Sequence, residues 1–208
     1  MLTKLSTLVS VFSVGSIAAI QPLANDSPQT QYVAIFDGKL EGNVTFTGLN
    51  NGSIEVGVDL DGFPSEGGPF MYHVHEAPVP SDGNCTGTKG HLNPYGGNIK
   101  SNNTDEKEIG DLSGRYGTLE GTTKISYVDQ YLSLNPDSEA YIGNLSVVVH
   151  LADNVRYACA NISKVDSDKD GSSGNNSNGS VPDYGSDSGR ISLTGISLVC
   201  GVAAALLI

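Results

Sequence analysis

The chain contains four histidines, His73, His75, His91 and His150, and two of them stand two residues apart in Phe70-Met71-Tyr72-His73-Val74-His75-Glu76-Ala77. Aromatic and β-branched neighbours predict a strand there, and on a strand residues i and i+2 share a face about 6.5–7 Å apart. Imidazoles at that separation can tip toward one metal ion between them. Neutral imidazole suits zinc, copper, iron or nickel, and four nitrogen donors without sulfur favour Cu(II), with zinc left open by ligand type. Read singly, each ring is also compatible with a surface or satisfied core histidine, His150 most of all because it closes a valine run.

Three cysteines accompany them: Cys85, Cys159 and Cys200. The last falls in a C-terminal apolar segment that processing would remove, leaving two. In an oxidising compartment an isolated pair makes one disulfide, Cys85–Cys159, with reactive free thiols as the alternative. Closing so long a loop stabilises a fold by about 4 kcal/mol on the chain-entropy model.

The elements that must position these groups read as strands. Alternation predicts strands over 31–37, 42–48, 53–60, the His73–His75 run, 114–120, 124–131, 145–151 and 156–162, separated by Gly- and Asn-bearing turns. Residues 78–108 carry little periodicity and much Gly, Asn, Pro and Asp. A loop of that length inside a compact domain is usually functional, and this one contains Cys85 and His91. The expected fold is all-β: a Greek-key sandwich or flattened barrel of about eight antiparallel strands with long loops.

Composition narrows the partners. With 23 acidic against 11 basic residues the net charge is −12, which excludes nucleic acid as a natural partner. A short basic start followed by an apolar run over 8–20 reads as a secretory signal over residues 1–20, cleaved between Ala19 and Ala24. The β domain is expected over 28–163. Residues 164–190, rich in Ser, Gly, Asn and Asp, are expected to form a disordered linker. The apolar end at 191–208 reads as a glycosylphosphatidylinositol signal tail, with attachment within 184–189 or, as a second choice, 178–180. Nine Asn-x-Ser/Thr triplets fit a glycosylated surface protein.

The order His73-Val74-His75, Cys85, Gly90-His91-Leu92-Asn93-Pro94, Gly110-Asp111-Leu112, Val149-His150 and Arg156-x-x-Cys159 resembles the copper/zinc superoxide dismutase superfamily over nearly all of 31–162. The resemblance implies copper held by His73, His75, His91 and His150, a Cys85–Cys159 disulfide, and Arg156 guiding the superoxide anion toward copper. It also implies a monomeric enzyme converting superoxide to O₂ and H₂O₂ at the cell surface or wall.

Two departures matter. The family binds zinc with the bridging histidine, two further histidines and an aspartate, yet no histidine lies between His91 and Asp111 here, and Glu108 stands where the last zinc histidine belongs. Only eight residues separate His150 from Cys159, so the family's long electrostatic loop is missing. Both features, with the secretory and anchor signals, resemble the fungal extracellular copper-only superoxide dismutases, which implies copper without zinc. Glu108 has a chemical reason to be there: an imidazole without zinc as its far partner needs a carboxylate to fix its orientation and tautomer. Glu108 is therefore expected to orient His91, with Asp111 bracing the same network; otherwise it is one more solvated acid beside Asp105 and Glu106. The competing class is a non-catalytic copper-binding surface or wall protein on the same fold, and a copper/zinc enzyme with unusual zinc ligands is a third reading.

Overall fold

A computed structural model describes residues 19–166. Most of the expected signal over 1–20 and nearly all of the linker and tail over 164–208 lie outside the described residues. Seven antiparallel strands make one curled sheet: β1 (Gln31–Asp37), β2 (Glu41–Gly48), β3 (Ile54–Asp61), β4 (Met71–His75), β5 (Thr123–Asp129), β6 (Ser146–His150) and β7 (Arg156–Lys164), in the order β4-β6-β7-β1-β2-β3-β5. Alternation sends Tyr32, Ala34 and Phe36 of β1 and Ile54, Val56, Val58 and Leu60 of β3 inward, where a single core forms. At the β2 entry Gly42 adopts φ 115°, and a Cβ there would lie 2.1 Å from the Asp59 carbonyl oxygen, so the close β2–β3 approach requires glycine.

The all-β expectation is met, with one substitution of element. Residues 114–120, read as a strand, instead contribute a five-residue helix, α1 (Leu112–Tyr116), followed by a single bridge from Leu119 to Phe70. The reason is local. Asp111 caps the helix by accepting from the Gly114 amide, and Gly117 ends it at φ 97°. The packed chain also reaches back ahead of residue 28. The Gln21 amide donates to the Asp105 carbonyl, the Ala24 amide to that of Gln130, and Ser27 Oγ accepts from the Leu134 amide.

The long loop is organised around one backbone junction. The Val74 amide donates to the Gly110 carbonyl (2.9 Å), the Leu92 amide to the Val74 carbonyl (2.8 Å), and the Gly110 amide to the Leu92 carbonyl (2.9 Å). A Cβ on Gly110 would meet Val74 O at 2.4 Å and Leu92 N at 2.8 Å, so three segments distant in sequence can touch only because this residue lacks one. The junction lies one residue from each of His73, His75, His91 and Asp111.

Candidate metal centre

Strand β4 supplies His73 and His75, the long loop supplies His91, and β6 supplies His150. A register irregularity at Val149/His150 turns the end of β6, where His150 faces Arg156 of β7. One donor nitrogen from each of the four imidazoles lies within 4.8 Å of the others, and among the described residues this is the one such group of metal-ligating side chains. His73, His75 and His150 are buried, while His91 is partly exposed and so marks the side open to solvent.

The far nitrogen of each ring is held, which decides the near one. His75 Nδ1–H donates to the Lys89 carbonyl at 3.0 Å. His150 Nδ1–H donates to the Asn154 carbonyl at 3.1 Å. His91 Nδ1–H donates to Glu108 Oε2 at 2.7 Å, and Asn93 Nδ2 holds the other carboxylate oxygen at 3.2 Å. His73 Nε2 faces Asp111 Oδ1 at 3.4 Å, leaving its buried Nδ1 without a partner. Asp111 thus meets His73 rather than joining the Glu108–His91 pair.

These arrangements fit a soft or borderline cation. With both Nδ1 protons committed to carbonyls, the Nε2 atoms of His75 and His150 present bare lone pairs only 3.2 Å apart. Two facing lone pairs repel unless an electrophile sits beside them, and the orphaned His73 Nδ1 has the same need. Protonation does not relieve the crowding. Burial, together with the His91 and Arg156 charges, drives His75 down to about 3. Burial chiefly drives His150 down to about 4 and lowers His73 despite Asp111. Neutral imidazole is the ligand form. Burial pushes the Asp111 carboxyl upward, but His73 and the Gly114 amide outweigh it and the net shift is downward.

Cys85 and Cys159 form a disulfide joining the loop to β7. Arg156 spans the same joint. Its Nη1 donates to the Cys85 carbonyl (2.6 Å), the Thr86 carbonyl and Thr88 Oγ1 (both 3.0 Å), and its Nη2 to the Lys89 carbonyl that also receives His75. Sequence reasoning missed Lys89 and Asn154, because their carbonyls carry no residue-type signal. It also missed α1, although Asp111 ahead of the segment and Gly117 behind it spell a helix start and stop.

A curled antiparallel sheet carrying four converging imidazoles beside a disulfide-pinned loop defines a class. Residues 40–178 match the family described as copper/zinc superoxide dismutase (SODC), and the chain belongs to that family. It is 41% identical over 162 residues to cell surface Cu-only superoxide dismutase 5 of Candida albicans, covering 76% of this chain and 71% of that protein. It is 42% identical to cell surface superoxide dismutase [Cu-Zn] 4 of the same organism, covering 80% and 74% respectively. A solved structure, Candida albicans superoxide dismutase 5 with Cu(II), shares 44% identity at a TM-score of 0.65 and covers 67% of this chain and 95% of that one.

Proposed function

We propose that this protein is a surface superoxide dismutase that works with copper and without zinc. The observation that carries the reading is the convergence of one donor nitrogen each from His73, His75, His91 and His150 within 4.8 Å. Bound copper supplies one-electron exchange, cycling between Cu(II) and Cu(I) as one superoxide is oxidised to O₂ and the next is reduced, with two protons, to H₂O₂. The protein's part is to hold the ligands and admit the anion. Carbonyls of Lys89 and Asn154 keep Nε2 of His75 and His150 free of protons. Glu108 does the same for His91 Nε2, and Asp111 turns His73 so that Nδ1 is its ligand atom. Because Glu108 takes the far nitrogen of His91, that ring has none left to share with a zinc ion. Arg156 supplies a fixed cation beside His75 for the approaching anion.

The relatives are named as cell-surface proteins, which supports a cell-surface or secreted location here. The finer reading is a monomer attached to plasma membrane or wall through a glycosylphosphatidylinositol anchor near residues 184–189, after loss of the signal over 1–20 and the tail over 191–208.

The test is the copper-loaded protein assayed with a superoxide source, alongside metal analysis after zinc reconstitution. Copper at one per chain with turnover and no retained zinc is expected. Tightly held copper without turnover identifies a copper-binding surface protein instead. Glu108→Ala should weaken copper affinity by ~10–100-fold, the usual cost of removing an outer partner of a ligating histidine, while Glu108→Gln, which keeps an acceptor, should lose less. Equal copper affinity in all three proteins would remove Glu108 from the site.

A further inference from the structure

Arg115 lies in the last turn of α1 and makes no hydrogen bond to the four histidines, yet its guanidinium grips the backbone that carries Glu108. Nη2 donates to the Lys107 carbonyl at 2.7 Å and Nε to the Glu108 carbonyl at 3.4 Å. Those two carbonyls belong to the two peptide planes on either side of the Glu108 Cα. Holding both planes fixes both backbone dihedrals of Glu108, and with them the direction of its Cα–Cβ bond. The carboxylate at the end of that bond receives His91 Nδ1–H at 2.7 Å.

The guanidinium is itself held from the other side. Its central carbon sits 3.7 Å from the centroid of the Tyr131 ring. The Tyr131 hydroxyl donates to Asp105 Oδ1 at 2.7 Å, on the loop that leads to Glu108, and the Tyr131 amide donates to the buried Asp129 carboxylate at 2.8 Å. Nη1 is buried without an acceptor. A cation that leaves one nitrogen unsatisfied in order to fork across two successive carbonyls is placed for geometry, and the rigid planar fork is what a lysine could not reproduce.

We infer that Arg115 is a positioning residue for the copper site, acting through Glu108 to set the orientation of His91. The inference rests on the reading of Glu108 as the residue that orients His91. It makes α1 a brace with two arms: Asp111 at its start reaches His73, and Arg115 at its end reaches His91 through Glu108.

The experiment is a double-mutant cycle on the copper-loaded protein, combining Arg115→Ala with Glu108→Ala. The readouts are the Cu(II) electron paramagnetic resonance spectrum and the rate of copper loss to a chelator, with thermal unfolding of each variant recorded in parallel. Arg115→Ala alone should perturb the Cu(II) spectrum and speed copper loss by about three- to tenfold, less than removal of Glu108 itself. In the Glu108→Ala background, the same substitution should change neither readout further. Arg115→Lys, which keeps the charge and the stacking but not the fork, should fall between wild type and Arg115→Ala, and it replaces Arg115→Ala in the cycle if that variant does not fold. An unchanged spectrum and release rate in folded Arg115→Ala overturns the inference, and so do effects that multiply in the double variant. If Glu108→Ala alone changes nothing, the Glu108 reading fails first and Arg115 loses its route with it.

Discussion

Lys89 turns through φ 63° and ψ −139°, a backbone conformation suited to glycine and costly for any side chain, by about 1–3 kcal/mol. Its carbonyl explains the turn, because that one oxygen receives both His75 Nδ1–H and an Arg156 Nη2–H. Only a backbone rotated out of the ordinary regions can aim it at the two donors together. The strain therefore serves the carbonyl, and the lysine side chain is exposed to solvent. Lys89→Gly should keep the carbonyl in place while relieving the strain. After the extra backbone entropy that glycine loses on folding, a net stabilisation of about 1 kcal/mol is expected, seen as a rise in unfolding temperature of roughly 2–4 °C. A lower unfolding temperature for the glycine variant would mean that the side chain, not the carbonyl, accounts for the turn.

At the scale of elements, the turn after β5 is built on a fully buried carboxylate. Asp129 Oδ1 accepts the Tyr131 and Leu132 amides at 2.8 and 2.7 Å, and Oδ2 accepts the Tyr116 hydroxyl at 2.9 Å. Burial raises its pKa above 3.8 even though those donors and Arg115 pull it down. A carboxyl raised on folding contributes stability that is fully present below its unfolded value and lost as pH rises through its folded value. Asp129→Asn keeps an oxygen for the two amides and carries no charge. Its stability relative to wild type should therefore climb as pH rises from below 3.8 toward neutrality, measured by urea unfolding at a series of pH values. Asp129→Ala abandons three donors at a cost of about 1–3 kcal/mol each and should be destabilised at every pH. A difference between Asn and wild type that does not vary with pH would show that folding leaves the Asp129 pKa where it lies in the unfolded chain. The strands, the disulfide and the histidine spacing were legible in sequence, because a period of two and a His-x-His pair are local signals. Helix α1 was legible only at its two ends, in Asp111 and Gly117, since five residues carry no helical period and Leu119 alone supplies the strand-like contact. Nor was the partner of Asp111, whose meeting with His73 depends on the junction among Val74, Leu92 and Gly110 that no local pattern encodes.

For the whole molecule the governing quantity is charge. A net charge of −12 repels an anionic substrate at long range, so any attraction must be local and close to the site. Arg156 is such a cation, but its four hydrogen bonds across the Cys85–Lys89 segment give it a second role as an anchor, and the two roles respond differently to salt. Attraction between a fixed cation and a free anion is screened over about 10 Å at 0.1 M and about 3 Å at 1 M, whereas hydrogen bonds made at contact distance within the protein respond far less to salt. Arg156→Ala should therefore lower kcat/KM at low ionic strength by roughly fivefold, the scale of a ~1 kcal/mol interaction, with the gap narrowing as salt is raised. Arg156→Lys keeps the charge and loses the fork, so it should recover most of the salt-dependent part while any loss that salt leaves untouched remains. The measurement is kcat/KM for the three proteins from about 10 mM to 1 M ionic strength, with copper content verified in each. If the ratio of wild type to Arg156→Ala stays constant across that range, Arg156 acts as an anchor for the His75 carbonyl partner and steering must be sought elsewhere on the surface.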